Sequence, residues 1–357
     1  MVEMRHSYLF AGILSAMLLA GCNEKQQAVE KEAMPTGWAE AEGYKLVWYD
    51  QFDGDSIDTS IWNFEDNSRG GGNWEMQYYA PKNVTLEQAP TGEKCMVLNA
   101  RKENYKNRPA TSARVNTAGK LAVQYGVIEA RVKVPRTADG LWPAFWMLGA
   151  NSVQNMGNDD SFESSVKNDS ASNVVVWPKC GEIDILEMGH ANGIKDSIQD
   201  RYFNGACHWG EDFNNGAYPN TAGNFTADSS LQEDFHLFSL VWTADSLQMY
   251  LDRDKDPDVK PYFSLATTYK GIENDPGNYF NHPFFIIANL AVGGAFTGLP
   301  GSDTDKYPEV ISEDWKNFQH ILQTGALAED GTPSKMYIDF VRIYQRGDEG
   351  EQLIIKK

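Results

Sequence analysis

The stretch Cys180-Gly181-Glu182-Ile183-Asp184-Ile185-Leu186-Glu187-Met188 sets three carboxyl side chains into an otherwise apolar run of strand-forming residues. Alternate side chains of a strand share a face, so Glu182 and Asp184 stand together while Ile183 and Ile185 point the other way, into a core. Glu187 is out of step by one residue. A β-bulge at Ile185 or Leu186 absorbs that residue and returns Glu187 to the face of the other two acids. The Cα atoms of Glu182 and Glu187 then stand roughly 13 Å apart. Two long side chains on a concave sheet can still lean towards the separation of about 5 Å that double displacement at an anomeric carbon requires. In that chemistry one ionised Glu attacks the carbon. The other carries a proton for the leaving oxygen, and repulsion from its neighbours is one way to keep it protonated near neutral pH. Asp184, between them, can hydrogen-bond the nucleophile. Taken alone, such a run also fits a solvated acidic strand face or a calcium-binding cluster.

The elements that must position these acids are short β runs. They include Tyr44–Trp48, Val84–Leu86, Met96–Ala100, Gly126–Val134, Val174–Trp177, Phe235–Trp242, Leu247–Leu251, Phe284–Leu290 and Met336–Tyr344, punctuated by Gly, Pro, Asn and Asp. Val310–Leu322 alone carries a helical apolar period. The expected fold is all-β, a sandwich of two curved antiparallel sheets. The catalytic domain is expected over residues 37–347, with residues 348–357 as a C-terminal tail. At the other end, Arg5 and His6 precede an apolar run that closes on Leu19-Ala20-Gly21-Cys22. That run is too short to span a bilayer as a helix, and its ending resembles a bacterial lipobox. Residues 1–21 then form a lipoprotein signal peptide, Cys22 is the lipidated residue, and 22–36 is a polar tether. The anchored protein is expected on the outer membrane, facing outward, as a monomer.

The chain has 357 residues and a formal net charge of -19, which repels a phosphate backbone and makes nucleic acid a poor partner. A neutral ligand suits that charge better than a sulfated or uronic-acid polymer. Once Cys22 is set aside, Cys95, Cys180 and Cys207 remain, and strand parity points the last two to opposite faces, as free thiols.

The segment Gly181-Glu182-Ile183-Asp184-Ile185-Leu186-Glu187 resembles the bulged E-x-D-x-x-E signature of glycoside hydrolase family 16. Further likeness runs through Asn73-Trp74-Glu75-Met76-Gln77-Tyr78-Tyr79, Thr111-Ser112-Ala113-Arg114, Tyr125–Arg131, Gly140–Leu148, His208-Trp209, Asn289–Gly294 and Tyr337–Tyr344, and is laminarinase-like throughout. The resemblance implies a β-jelly-roll with a long concave cleft and retaining endo-hydrolysis of β-glucan. Glu182 would be the nucleophile, Asp184 its helper and Glu187 the acid/base. Trp142 and Trp146 share a parity, so both can offer rings to glucosyl units. The same resemblance puts His208, Trp209, Asn73, Glu75 and Arg114 on the substrate side. It implies no catalytic cofactor, and a structural calcium at Asp339 with the Gly92 carbonyl. The expected substrate is β-1,3-glucan or mixed-linkage β-1,3/1,4-glucan. A galactanase of the same fold and a glycan-binding protein without catalysis are the alternatives. Residues 149–179 exceed the laminarinase pattern just before the acidic strand and are expected to shape one end of the cleft.

Overall fold

A computed structural model describes residues 37–68, 73–152, 175–213, 218–268, 274–301 and 312–356. The expected signal segment, the tether with Cys22, and most of the 149–179 segment lie outside the described residues. Two sheets pack face to face. The first runs, edge to centre and on, through Asn220–Thr226, Tyr202–His208, Glu182–Met188, Leu141–Gly149, Phe284–Val292, Arg114–Asn116 and Asn63–Phe64. The second runs through Phe263–Ala266, Ser246–Leu251, His236–Trp242, Gly126–Lys133, Ser334–Gln345, Lys94–Tyr105, Arg108–Ser112 and Gln77–Tyr79. Among the named strands, Gln77–Tyr79 pairs in parallel with Arg108–Ser112, while the other pairs are antiparallel.

Alternation decides what each strand buries. Phe145, Met147, Ile183, Ile185, Phe203 and Cys207 of the first sheet meet Met96, Leu98, Ile128, Ala130, Leu240 and Ile343 of the second in one core. Phe284–Val292 is buried along its whole length, because the core covers one face and the floor of the site covers the other. That is why its sequence is apolar without alternation, apart from Asn289.

Three expectations about elements change. Of the expected run Val174–Trp177, Val174 lies outside the described residues and the rest is no strand: Val175 makes an isolated parallel bridge to Ser152, and residues 177–180 turn. That bridge, together with the Val175 N–H bonded to the Asn151 carbonyl at 2.8 Å and the Gly149 N–H to the Gly181 carbonyl at 3.2 Å, closes a neck at the base of the long segment. Residues 348–357 are not an appendage, since Gln352–Ile355 adds an edge strand against Leu121–Gln124. The helical period starting at Val310 appears as Ser312–Gln323. Cys180 and Cys207 lie on opposite sides of the first sheet and are free thiols, as parity requires. Among the described residues no helix is long and apolar enough to cross a membrane.

Candidate active site

The acidic strand is bulged where the sequence demands. Against Leu141–Gly149 the register runs Glu187 to Ala144 and Leu186 to Phe145, then jumps to Asp184 opposite Trp146 and Glu182 opposite Leu148. Against Tyr202–His208, Asp184 faces Ala206 and Glu187 faces Asn204, with Gly205 alone spanning the two residues between. Ile185 is the residue absorbed: it has no register partner on either neighbour, and its side chain lies in the core. Glu182, Asp184 and Glu187 therefore share the outer face of the sheet.

Their surroundings favour the protonated form of all three. Glu182 and Glu187 keep a little accessible surface, although their carboxyl groups are enclosed by protein. Burial raises Glu182 to about 7, opposed by the Trp177 indole N–H and by the positive charge of Arg114. Trp177 lies beside Glu182 without forming a well-aligned hydrogen bond. Glu187 is raised to about 8 by burial and then by the charge of Glu182, against a hydrogen bond from Trp142 Nε1 to its Oε1 at 3.1 Å. Burial, with both glutamates as neighbours, lifts Asp184 well above the usual carboxylate range. Carboxyl oxygens of Glu182 and Asp184 and a ring nitrogen of His208 lie within 4.8 Å of one another. His208 Nε2 is 3.4 Å from Asp184 Oδ2, too long for a strong hydrogen bond, and burial lowers the ring to about 4, so it is neutral at working pH.

Around the acids the expected residues divide. The Trp146 ring lies on the site face, its Nε1 bonded to Asn289 Oδ1 at 2.7 Å and the Arg114 guanidinium 4.8 Å from its centre. Trp142 is buried, stacked on Phe296 at 4.5 Å, and acts as a strut for Glu187 more than as an open sugar platform. Arg114 is buried in an ion pair with Glu65 at 2.8 Å. Burial opposes its charge, but Glu65, Glu75 and Glu182 among its neighbours more than compensate. Glu75 is buried, accepting from Gln77 Nε2 at 2.6 Å and Tyr79 Oη at 2.9 Å, and burial raises its pKa. Asn73 is exposed, with its side chain near Glu75 and its carbonyl accepting from the Ala295 N–H at 2.8 Å.

One expectation does not fit. Trp209 cannot share a face with His208, its neighbour in the strand direction, and it lies in the core with its Nε1 bonded to the Asn274 carbonyl at 2.9 Å. At Asp339, the residue expected to hold a calcium, Arg131 Nη1 sits 2.8 Å from the carboxylate and 3.2 Å from Glu93. Gly92 forms a turn at φ 104°, its N–H bonded to the Ala89 carbonyl at 2.9 Å. The sequence reading also missed an aromatic group beside the acids. Trp177 packs edge-on to Tyr218 at 4.7 Å and tilts against Phe213 at 5.6 Å and His208 at 6.2 Å. Trp177, Phe213 and Tyr218 come from irregular backbone, where no period marks them. Asn289 did leave a signal, as the lone polar residue of a nine-residue apolar strand.

The site sits inside a recognisable chain. A family profile for glycosyl hydrolases family 16 matches residues 73–269. The Beta-glucanase of Rhodothermus marinus is 31% identical over 278 residues, covering 76% of this chain and 84% of that protein. Glucan endo-1,3-beta-glucosidase A1 of Niallia circulans is 30% identical over 288 residues, and there this chain spans only 37% of the longer relative. Among solved structures, a family 16 glycoside hydrolase of the Bacteroides ovatus mixed-linkage glucan locus, bound to a G4G4G3G product, superposes with a TM-score of 0.61 at 29% identity. That superposition covers 84% of this chain and 100% of the other. With more than half its length under the family profile and its acids on one bulged strand, the chain belongs to glycosyl hydrolases family 16.

Proposed function

We propose that the protein is a retaining endo-β-glucanase that cuts β-1,3-glucan or mixed-linkage β-1,3/1,4-glucan. The observation that carries this reading is the bulge that puts Glu182, Asp184 and Glu187 on one face of the sheet. Glu182, whose charge Arg114 and Trp177 support, attacks the anomeric carbon as its bond to the leaving oxygen breaks. Glu187, held by Trp142, gives its proton to that oxygen. In the second half, the Glu187 carboxylate takes a proton from water as the water attacks the same carbon and frees Glu182. Asp184 lies between them and can pass a hydrogen bond to Glu182. A binding protein without catalysis would have no use for three crowded, costly carboxyl groups. The relatives named above, called a beta-glucanase and a glucan endo-1,3-beta-glucosidase, support glucan over galactan.

No cofactor enters these steps, and the Arg131 pair at Asp339 argues against a calcium ion there. The lipid anchor at Cys22, the outer-membrane position and the monomeric state belong to the same proposal and rest on sequence and ordinary chemistry. Loss of radiolabelled palmitate from Cys22→Ser, compared with wild type, tests the anchor. For the activity, the protein and Glu182→Gln are incubated with laminarin, barley β-glucan, lichenan and agarose, and products are resolved by size. Oligosaccharides from the glucans that vanish in the variant are expected. Products from agarose alone would move the chain to galactan.

A further inference from the structure

The bulge that returns Glu187 to the site also creates a problem. Ile185 has no partner on either neighbouring strand, so its carbonyl leaves the sheet ladder in a buried place, where an unmet acceptor is costly. The structure answers from the other sheet. Tyr262, just ahead of the strand Phe263–Ala266, reaches across the sandwich edge and donates its hydroxyl to the Ile185 carbonyl.

The room for this reach comes from two glycines placed opposite each other. Gly205 on Tyr202–His208 pairs with Gly223 on Asn220–Thr226. A Cβ on Gly205 would lie 2.8 Å from Tyr262 Cε2 and 2.6 Å from Met249 Sδ. A Cβ on Gly223 would lie 2.8 Å from the Tyr262 carbonyl oxygen. Gly205 is also the residue that spans the bulge. The pair forms a trough in which the Tyr262 segment lies, with the ring held edge-on by Phe203 at 4.9 Å.

Resting on the β-glucanase reading above, we infer that Tyr262 is a positioning residue for the acid/base: by holding the Ile185 carbonyl in the bulge, it fixes where Glu187 stands relative to Glu182. Tyr262 touches neither substrate nor the acids. Its effect belongs to the two proton transfers of Glu187, and in forming the glycosyl-enzyme it is felt only where the leaving oxygen needs a proton, which is how it differs from a residue that only stabilises the fold.

The test compares wild type with Tyr262→Phe on two substrates. One is barley β-glucan or laminarin, whose leaving hydroxyl needs the proton of Glu187. The other is a 2,4-dinitrophenyl glycoside of a short β-1,3-gluco-oligosaccharide, whose leaving phenolate needs none. The expected result is a fall in kcat/KM of about 2- to 10-fold on the polymer, the worth of one hydrogen bond, with kcat/KM for dinitrophenolate release, which covers only the steps up to the glycosyl-enzyme, unchanged. Gly205→Ala, which pushes on the Tyr262 ring, is expected to show the same selective loss. Equal losses on both substrates, or no loss on either, would overturn the inference. Wild-type silence on both substrates would overturn the β-glucanase reading, and this inference with it.

Discussion

The outer face of the first sheet and the outer side of the second each gather buried or half-buried carboxyl groups, and treat them in opposite ways. On the second, Glu93 and Asp339 share Arg131, and Glu87 meets Lys335. Burial pushes Glu93 and Glu87 up, but hydrogen bonds from Thr91 and Arg131 to the one, and from Lys335 and Thr85 to the other, hold both below the usual range. On the first, Glu182, Asp184 and Glu187 stand beside one another, and the buried Arg114, ion-paired with Glu65, lowers Glu182 without offsetting its burial. Burial then wins, and all three are raised. Residue type does not separate the two patches. What separates them is whether a cation bonds the carboxylates directly.

The contrast breaks most visibly in activity. Glu187→Gln is expected to lower kcat on β-glucan by about 10²- to 10⁴-fold, and Glu182→Gln at least as far. Azide separates their roles: with Glu182→Gly it should yield the α-glycosyl azide, since it attacks the face the nucleophile leaves open. With Glu187→Gly it should yield the β-glycosyl azide, by attack on the glycosyl-enzyme. The same azide anomer from both variants would merge the two roles.

Next in size is the cationic patch. Arg131→Met strands Asp339 and Glu93, and should cost about 1–3 kcal/mol of stability by urea unfolding while kcat stays within error. An activity loss matching that of Glu187→Gln would tie the two faces together and end the contrast.

A smaller effect sharpens it. Groups whose folded pKa is raised bind more protons in the native state, so they stabilise it less as pH climbs from the ordinary carboxylate value towards about 7 for Glu182 and about 8 for Glu187. Glu93, with its lowered pKa, acts in the reverse sense: the stability it contributes above the ordinary carboxylate value is lost as pH falls. Glu187→Gln should therefore gain on wild type in Tm by about 2–4 °C between pH 5 and pH 8, and a flat difference would mean that Glu187 is not held protonated. Least of all, EDTA should leave the Tm unchanged, because Arg131 stands where a calcium ion would compete for Asp339. A fall in Tm that calcium restores would reverse that assignment.

Much of this was legible before any coordinates. Period-two alternation gave the three acids a common face once one residue was absorbed, and the same rule separated Cys180 from Cys207. Applied strictly, it also excluded Trp209 from the face of His208; likeness to a motif led past the parity. Two kinds of feature stayed hidden. One is chemistry supplied from irregular backbone, such as Trp177, Phe213 and Tyr218, where no period exists to read. The other is long-range pairing: the short Gln-Leu-Ile-Ile run at 352–355 becomes a strand only because Leu121–Gln124 offers an open edge. Tyr262 combines the two, since its partner is a carbonyl freed on a different sheet.

The neck at Gly149, Asn151 and Val175 carries a consequence for how this protein can change. The long polar segment enters and leaves the fold through hydrogen bonds that close before the acidic strand begins. Whatever is spliced between those two points meets the domain at one junction, and doubling such a loop costs only about 0.6 kcal/mol in closure entropy. The junction is a socket: the hydrogen bonds that form it lie outside whatever length of chain it carries, and the acidic strand beside it keeps its own register.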